Sequence, residues 1–434
     1  MQVALPIVAI RHLLDHSEGF AHDGGNENAR LKRTGEARMA DDDRYGVLDP
    51  MNQDPKSAQN AIDGAPTRNV VSRRDLLKRA GTGLAAGLIS VGLGRSKAKA
   101  SPASPERVDT AAAPTAARAS GKIPFSLIID DGSPVDPLFY EIPGYETPLL
   151  VPRAFTQRVA DTFDKYDLRG KLTIIPMPSC LGRLDQSLKR VPAEHLQDFL
   201  QVVRERIQPR FDITPEFLTH LRAYSLKTGQ YQHLFEDVWI TSAPPEEIVE
   251  YFVLAFTILK NVGLNAPGIT SPWVSGIDVE QKYAKALADA QWQVFQRKFT
   301  WYFLYGVHWG KPRHCTVEYQ DAARGQSVVS VPANFADLFW SMEKPPSERV
   351  QFIKDNIDKV LSADGRTGRI RQVIDSGHPV TLLTHWQSLY TQGTGLGLEG
   401  LSALAERIQK VFGQNLEWVS TTEMARRTAV TAKT

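Results

Sequence analysis

Short, strongly apolar runs alternate with segments of helical periodicity along most of this chain. Three runs have the length and composition of buried strands: Phe125–Ile129, Lys171–Ile175 and Val380–Thr384. Helices are predicted at residues 154–166, 192–207, 245–261, 279–291, 348–361, 367–376 and 397–412, and further short strands at 328–331 and 416–418. Strands that alternate with helices form a mostly parallel sheet. The sequence therefore predicts an α/β fold, with the sheet open or closed into a barrel.

The chemistry of such folds gathers where the parallel strands end. Asp130 and Asp131 directly follow the first strand, and His385 follows the strand at 380–384. Two adjacent carboxylates repel each other and need a cation or hydrogen-bond donors, although Asp-Asp-Gly is also a good turn sequence. A lone histidine is more often a core residue, but one at a strand end is a candidate for proton transfer.

Further candidates lie between these two strand ends. If residues 214–220 are helical, Glu216 and His220 lie four apart on one face and could share a metal ion. The alternative is a helix start with an incidental histidine. Trp273 follows a rigid Ser-Pro pair and is a candidate either for stacking against a sugar or for packing.

An export signal is predicted before the domain. Residues 72–78 read Ser-Arg-Arg-Asp-Leu-Leu-Lys, an uncharged apolar run extends from Ala80 to Gly94, and Ala98-Lys99-Ala100 follows. This order is that of a twin-arginine signal peptide, and an amphipathic helix with a basic start is the alternative. The apolar run is too short and too weak for a permanent membrane span. The pattern predicts transport of the folded protein by the twin-arginine translocase to the periplasm or the medium.

The signal divides the chain into four predicted regions. Residues 1–71 form a disordered extension, or upstream sequence if translation starts at Met39 or Met51. Residues 72–100 form the signal peptide, residues 101–120 an Ala/Ser/Pro-rich linker and residues 121–430 one large domain. The formal net charge of the whole chain is +2, and the part after the signal is close to neutral. This balance gives no electrostatic basis for binding nucleic acid or a membrane surface.

The chain contains only two cysteines, Cys180 and Cys315. A disulfide is permitted outside the cytoplasm, but a single pair does not make a disulfide scaffold. The sequence leaves their pairing open.

Four motifs, in order, resemble those of the polysaccharide deacetylase (NodB homology) family. Residues 125–134 (Phe-Ser-Leu-Ile-Ile-Asp-Asp-Gly-Ser-Pro) are similar to its first motif, Thr-Phe-Asp-Asp-Gly-Pro. The segment from Glu216 to His220 resembles its histidine-pair motif in one of two registers. In one, the second histidine falls on Tyr224; in the other, Glu216 replaces the first histidine. Residues 269–273 resemble the Arg-x-Pro-aromatic motif without its arginine, and residues 382–385 resemble the last motif.

The resemblance implies a distorted (β/α) barrel and a hydrolase that removes acetyl groups from a polysaccharide or amino sugar. It implies that Asp130 is the general base and His385 the general acid. It also implies a divalent metal, expected to be zinc, held by Asp131 and His220, with the third ligand left open between water and another side chain such as His233. The expected partner is a carbohydrate, and the candidate substrate-binding residues are Trp273, Trp386 and Tyr390.

Two other functions compete with this one. A glycoside hydrolase on a similar barrel needs two carboxylates about 5–9.5 Å apart, and Asp130 or Asp131 with Asp337 or Glu236 could supply them. A non-catalytic sugar-binding domain with a decayed metal site would use aromatic platforms instead. The candidate platforms are Trp273, Trp340, Trp386 and Tyr390.

Overall fold

The computed structural model describes residues 121–136 and 150–431. The extension, signal and linker predicted for residues 1–120 lie outside these ranges and stay predictions. Within the described ranges, no helix combines the length and the apolar character needed to cross a bilayer.

The predicted strands and helices are present, with small shifts at their ends. The strands are β1 (Ile123–Gly132), β2 (Gly170–Ile174), β3 (Phe211–Pro215), β4 (Arg222–Ser225), β5 (Gln230–Phe235), β6 (Gly268–Thr270), β7 (Phe299–Phe303), β8 (Cys315–Asp321), β9 (Gln326–Ser330), β10 (Val380–His385), β11 (Leu416–Trp418) and β12 (Ala429–Thr431). The helices are α1 (Arg153–Tyr166), α2 (Ala193–Val202), α3 (Glu236–Ser242), α4 (Pro245–Asn261), α5 (Glu280–Phe295), α6 (Pro346–Val360), α7 (Arg369–Asp375), α8 (Trp386–Tyr390), α9 (Leu396–Phe412) and α10 (Thr421–Thr428). Prolines precede α1, α2, α4 and α6, where the fixed proline φ favours a helix start.

Two five-stranded sheets contain most of these strands. The first has the order β10-β1-β2-β3, with β11 also paired to β1, and all its pairs are parallel. The second has the order β12-β8-β9-β7-β6, in which only the pair of β8 with β9 is antiparallel. The mostly parallel α/β fold predicted from the alternating pattern is confirmed.

Isolated parallel bridges join the two sheets into a distorted barrel. Glu216, just after β3, pairs with Thr270 of β6, and Asp337, in the segment after β9, pairs with Leu383 of β10. The strands β1, β2, β3, β6, β7, β9 with its continuation, and β10 thus form one irregular ring, which we call the strand ring. Helices pack around it through aromatic contacts such as Phe163 on Phe211, whose ring centroids are 4.1 Å apart.

A bulge in β1 places both adjacent carboxylates at the same end of the strand ring. Ile129 pairs with Leu172 and Gly132 with Ile174, so β1 has one residue more than β2 over this stretch. Asp131 lies in the left-handed region, with φ of 65°. In a regular strand neighbouring side chains point to opposite faces, and a bulge is the device that redirects one of them. Asp130 and Asp131 therefore both contact other members of the ring.

The close packing of Gly132 gives a testable consequence. A Cβ at this position would lie 2.2 Å from the carbonyl oxygen of Thr173, which is backbone and cannot rotate away. We expect Gly132→Ala to lower the free energy of unfolding by about 1–3 kcal/mol or more, the usual range for overpacking. Denaturant titration measures this change. The control is Gly306→Ala, whose Cβ would meet only Leu383 at 3.9 Å, and equal losses in both variants would contradict the packing argument.

Two local expectations are corrected or resolved. Residues 214–220 are not a helix: β3 ends at Pro215, and Phe217 and His220 adopt left-handed φ values of 38° and 60°. The two cysteines are free thiols, and burial raises the pKa of each to about 12.

Candidate active site

Three side chains from two separate parts of the chain converge on one point. They are Asp131 at the end of β1, Glu216 after β3, and His220 in the loop that follows. His220 Nε2 lies 2.9 Å from Asp131 Oδ1 and 3.3 Å from Glu216 Oε1, and the three candidate ligand atoms lie within 4.8 Å of one another. Asp131 and Glu216 are buried, and the His220 side chain is only 16 % exposed.

The geometry of these atoms fits a metal ion. Asp131 Oδ1 is buried, and no group among the described residues donates a hydrogen bond to it, because the 2.9 Å approach of His220 lacks hydrogen-bond geometry. Two ligands of one tetrahedral ion with bonds of ~2.0–2.1 Å are about 3.3 Å apart, close to the separations found here. Carboxylate oxygen and imidazole nitrogen are both ordinary zinc ligands. The residues present therefore fit a divalent cation.

The electrostatics of the cluster also favour a cation. Burial, with the charge of Asp131 as a smaller cause, raises the pKa of Glu216 to about 8. Burial opposes ionisation of Asp131 too, but the charge and hydrogen bond of His220, the charge of His385 and the hydrogen bond of Glu216 together outweigh it and leave the Asp131 pKa below its ordinary value. For His220, burial disfavours the charged form, yet the two carboxylates raise its pKa well above 6.5. Without a metal ion, bound protons thus compensate the negative charge of the two carboxylates. A divalent cation would take over this role and displace the protons.

Neighbouring groups fix Asp131 in this arrangement. Its backbone N–H donates a 3.0 Å hydrogen bond to Glu216 Oε2, which ties two of the candidate ligands together. Gln387, at the second position of α8, donates from Nε2 to Asp131 Oδ2, so the oxygen that faces His220 is the one left for a ligand. Such contacts orient metal ligands and tune their affinity.

Asp130 is held by a buried lysine inside the strand ring. Lys171 of β2 is fully buried and forms an ion pair with Asp130 Oδ1, and Thr173 donates to the same oxygen over 3.0 Å. Lys171 Nζ also donates to Thr173 Oγ1 at 2.8 Å and to Thr270 Oγ1 at 2.6 Å. Thr270 is the position at which the third motif lacks its arginine. Both carboxylate contacts use Oδ1, so a base role for Asp130 would use Oδ2.

His385 lies beside Asp130 and is bound to a carboxylate of its own. The two residues are register partners on β10 and β1. His385 Nδ1 is 2.5 Å from Asp337 Oδ2, which also accepts a 2.7 Å hydrogen bond from Ser388 Oγ. Burial lowers the pKa of His385, but the hydrogen bond and charge of Asp337 outweigh this and raise it to about 10. His385 therefore carries a proton at neutral pH, and 26 % of its side chain is exposed.

The three aromatic residues expected to contact substrate differ in their burial and in their distance from the metal cluster. Trp273 is half-buried, with its ring centroid 5.0 Å from that of His220, so it borders the metal cluster. Tyr390 is half-buried and packs edge-on against Phe155, and its substrate role stays a prediction. The expectation that Trp386 contacts substrate is wrong. Trp386 is fully buried between Phe155 and Phe199, and a side chain with no exposed surface cannot stack on a sugar.

Two further candidates, His233 as a metal ligand and Glu236 as a glycoside hydrolase carboxylate, do not lie in the site. His233 is exposed on β5 and is not part of the metal cluster of the described residues, where Glu216 supplies the third donor. Glu236 is fully buried and accepts hydrogen bonds from backbone N–H groups, so it does not face a substrate.

Sequence reasoning missed several residues that the site uses. A lysine in an otherwise buried strand indicates a buried acidic partner, so Lys171 was a signal in the sequence, although it did not identify Asp130 as that partner. Asp337 was considered only as a glycosidase carboxylate, and no local pattern connects it with His385, 48 residues away. Gln387 follows His385 by two residues, but only the turn from β10 into α8 aims it at Asp131.

Comparison with known proteins gives distant structural likenesses. No protein-family model and no curated protein sequence matches the chain. Among solved structures, a protein from Mycobacterium smegmatis described as a polysaccharide deacetylase has 11 % identity and a TM-score of 0.40, covering 71 % of this chain and 91 % of that one. A family 4 carbohydrate esterase from Streptomyces lividans has 10 % identity and a TM-score of 0.35, covering 72 % and 98 %.

A third solved structure is a family 4 acetyl xylan esterase from Clostridium thermocellum in complex with a cobalt ion. It has 11 % identity and a TM-score of 0.32, covering 69 % of this chain and 89 % of that one. A family 4 pseudoenzyme is also among the similar structures, at 11 % identity and a TM-score of 0.33. The descriptions of these four solved structures name a polysaccharide deacetylase, two family 4 esterases and a family 4 pseudoenzyme.

Proposed function

We propose that this protein is a metal-dependent hydrolase that removes acetyl groups from a carbohydrate. The observation that carries the proposal is the convergence of three groups of side chains at one end of the strand ring. These are the Asp131–Glu216–His220 cluster, the carboxylate of Asp130, and the His385–Asp337 pair. A metal cluster, a base and a protonated acid are together sufficient for the metal-assisted hydrolysis of an acetyl ester or amide.

Each part has a defined role in the proposed reaction. A divalent cation held by Asp131, Glu216 and His220 would supply Lewis acidity toward the acetyl carbonyl and make a water molecule more acidic. Asp130, fixed by Lys171, accepts the proton of the attacking water at Oδ2. His385, kept protonated by Asp337, donates from Nε2 to the departing sugar oxygen or nitrogen. Trp273 beside His220 offers an aromatic face for a sugar ring.

The direct test combines metal analysis with product analysis. Protein purified without added metal should contain about one divalent ion per chain, with zinc as the expected ion. It should release acetate from at least one member of a panel that includes N-acetylglucosamine oligomers and acetylated xylan. Shortened glycans without acetate release would favour the glycoside hydrolase, and the absence of both metal and turnover would contradict the proposal.

A non-catalytic sugar-binding domain is the second candidate. The observation that favours it is the ion pair of Asp130 with the fully buried Lys171, which holds the proposed base in a structural contact. This function predicts saturable glycan binding without acetate or shortened products. Binding to the same panel, measured beside the product analysis, separates the two functions.

We also propose that the twin-arginine segment exports the domain after it has folded. Support comes from the order of the paired arginines, the apolar run and the Ala-x-Ala end at residues 72–100. We expect mature protein to begin at Ser101 or within a few residues of it. Replacing Arg73 and Arg74 by lysine should hold the precursor in the cytoplasm, measured by fractionation and N-terminal sequencing. Efficient export of the double-lysine variant would disprove the assignment.

A further inference from the structure

Glu236 is a buried carboxylate that none of the proposed reaction steps uses. It is the first residue of α3 and is fully buried. Four groups donate hydrogen bonds to it: the backbone N–H groups of Leu218, Thr219 and His220, at 3.1, 3.0 and 2.9 Å, and the hydroxyl of Tyr251, at 2.7 Å. Burying a carboxylate is costly unless it is well hydrogen-bonded, and these donors meet that need.

The segment that Glu236 binds has an unusual backbone. Phe217 and His220 both adopt left-handed φ values, 38° and 60°, which residues other than glycine rarely adopt. Consecutive N–H groups that point to one side form an anion-binding concavity, and here the anion is the Glu236 carboxylate. The strained backbone is therefore held by a specific partner inside the same fold.

The two carboxylate oxygens of Glu236 accept hydrogen bonds from different groups. Oε1 accepts from Leu218, Thr219 and Tyr251, whereas Oε2 accepts from the backbone N–H of His220. The imidazole of that same His220 reaches Asp131 and Glu216 through Nε2. Oε2 of Glu236 thus binds the backbone of His220, the residue whose imidazole is a candidate metal ligand.

We propose that Glu236 is a positioning residue that presets His220 for metal binding. The inference rests on the proposed function, because it assigns His220 to a metal. By fixing the His220 backbone before the ion arrives, Glu236 removes an ordering cost from metal binding. It acts through His220 and touches neither the ion nor a substrate.

The conservative variant Glu236→Gln isolates the contact to His220. If the amide oxygen keeps the three donors at the Oε1 position, the amide NH₂ replaces Oε2 and faces the N–H of His220. The opposite orientation would lose the hydrogen bonds of two backbone N–H groups instead of one, because only the Tyr251 hydroxyl can turn to accept from the amide NH₂. We expect Glu236→Gln to fold and to bind zinc 10–100-fold more weakly in a chelator competition titration, the usual effect of losing a contact that orients a ligand.

Tyr251→Phe is the matched control. It removes the hydroxyl that donates to Oε1 and leaves the His220 contact intact. We expect lower thermal stability with a zinc affinity within about threefold of the wild type. The visible spectrum of the cobalt-loaded protein should change in Glu236→Gln and not in Tyr251→Phe, since it reports ligand geometry. Wild-type affinity in Glu236→Gln, or equal weakening in both variants, would overturn the inference.

Hydrogen exchange of the wild-type protein provides a test that needs no variant. If Glu236 presets the loop, the amides of residues 218–220 exchange slowly in metal-free protein. Fast exchange that becomes slow only when zinc is added would show that the ion orders the loop and would overturn the inference. This measurement also decides the matter if Glu236→Gln does not fold. A wild-type protein that binds no metal would contradict the proposed function, while the exchange data would still show whether Glu236 holds the loop.

Discussion

Replacing Asp131, Glu216 or His220 by alanine is expected to weaken divalent-metal binding by more than 10²-fold. Each side chain supplies one donor to a cluster whose atoms lie within 4.8 Å of one another. Changes to residues that merely orient ligands typically cost 10–100-fold in affinity, so loss of a ligand should cost more. Isothermal titration or chelator competition with zinc measures the effect, and circular dichroism verifies that each variant is folded.

His233→Ala is the matched control for His220→Ala. His233 is exposed on β5, so its loss should leave metal affinity unchanged. If His233→Ala weakened binding as much as His220→Ala, the cluster described here would not be the metal site.

Metal affinity should also rise with pH. Without the ion, burial and the charge of Asp131 raise the pKa of Glu216 to about 8, and the two carboxylates raise that of His220 above its ordinary value. Both groups therefore hold protons at pH 6, and binding must release them. We expect weaker binding at pH 6 than at pH 8, with measurable proton release. An affinity that does not change over this range would contradict the assignment of these two ligands.

Asp130→Asn and His385→Ala are expected to lower turnover by about 10²-fold or more each, the usual contribution of a general base or acid. Neither residue belongs to the metal cluster, so both variants should retain their metal. Asp130→Asn removes the charge that pairs with the fully buried Lys171 and should also lower the free energy of unfolding, so turnover is compared for the folded fraction. Acetate release under saturating substrate, with metal content determined in parallel, measures the effect. If His385→Ala unfolds the protein while the folded fraction keeps normal activity, His385 is a core residue and not the acid.

Asp337→Asn tests how His385 keeps its proton. In the wild type the Asp337 hydrogen bond and charge raise the His385 pKa to about 10, so an acid role fails only as the pH rises toward that value. Without the Asp337 charge, burial is less opposed and the pKa should fall toward 6.5. The alkaline limb of the rate profile should therefore move to lower pH. An unmoved limb would mean that it reports another group.

The same pKa shift predicts a pH dependence of stability. His385 holds its proton more tightly in the folded state, so its contribution to stability is complete below about 6.5 and is lost as the pH rises through about 10. In Asp337→Asn this loss should occur at lower pH, which urea unfolding at a series of pH values would measure. An identical pH dependence in both proteins would contradict this account.

Local pattern was enough to predict the elements and the ends at which chemistry gathers. The apolar run before Asp130 and the one before His385 are both buried strands, as predicted. The structure adds that the two residues are register partners. The helix starts at Pro245 and the helix around 397–412 also agree with the periodicity. These features depend on neighbours along the chain, which a sequence displays directly.

The sequence could not place the residues that complete the site. Glu216 and His220 were expected to meet only on a helix, yet they meet across a strained loop that Glu236 holds from 16 residues further on. Trp386 looked like an exposed platform because it follows a strand end, but α8 turns it inward against Phe155.

The sequence by itself determined the α/β class, the strand ends at Asp130, Asp131 and His385, and the prediction of a metal. Only the tertiary structure decided that a bulge directs both aspartates into the ring, that Lys171 holds one of them, and that Asp337 keeps His385 protonated. The physical reason is one of range. Strand and helix patterns arise from neighbours a few residues apart. The ion pair of Lys171 with Asp130 and the contact of His220 with Asp131 instead join residues 41 and 89 positions apart, through the packing of the whole ring.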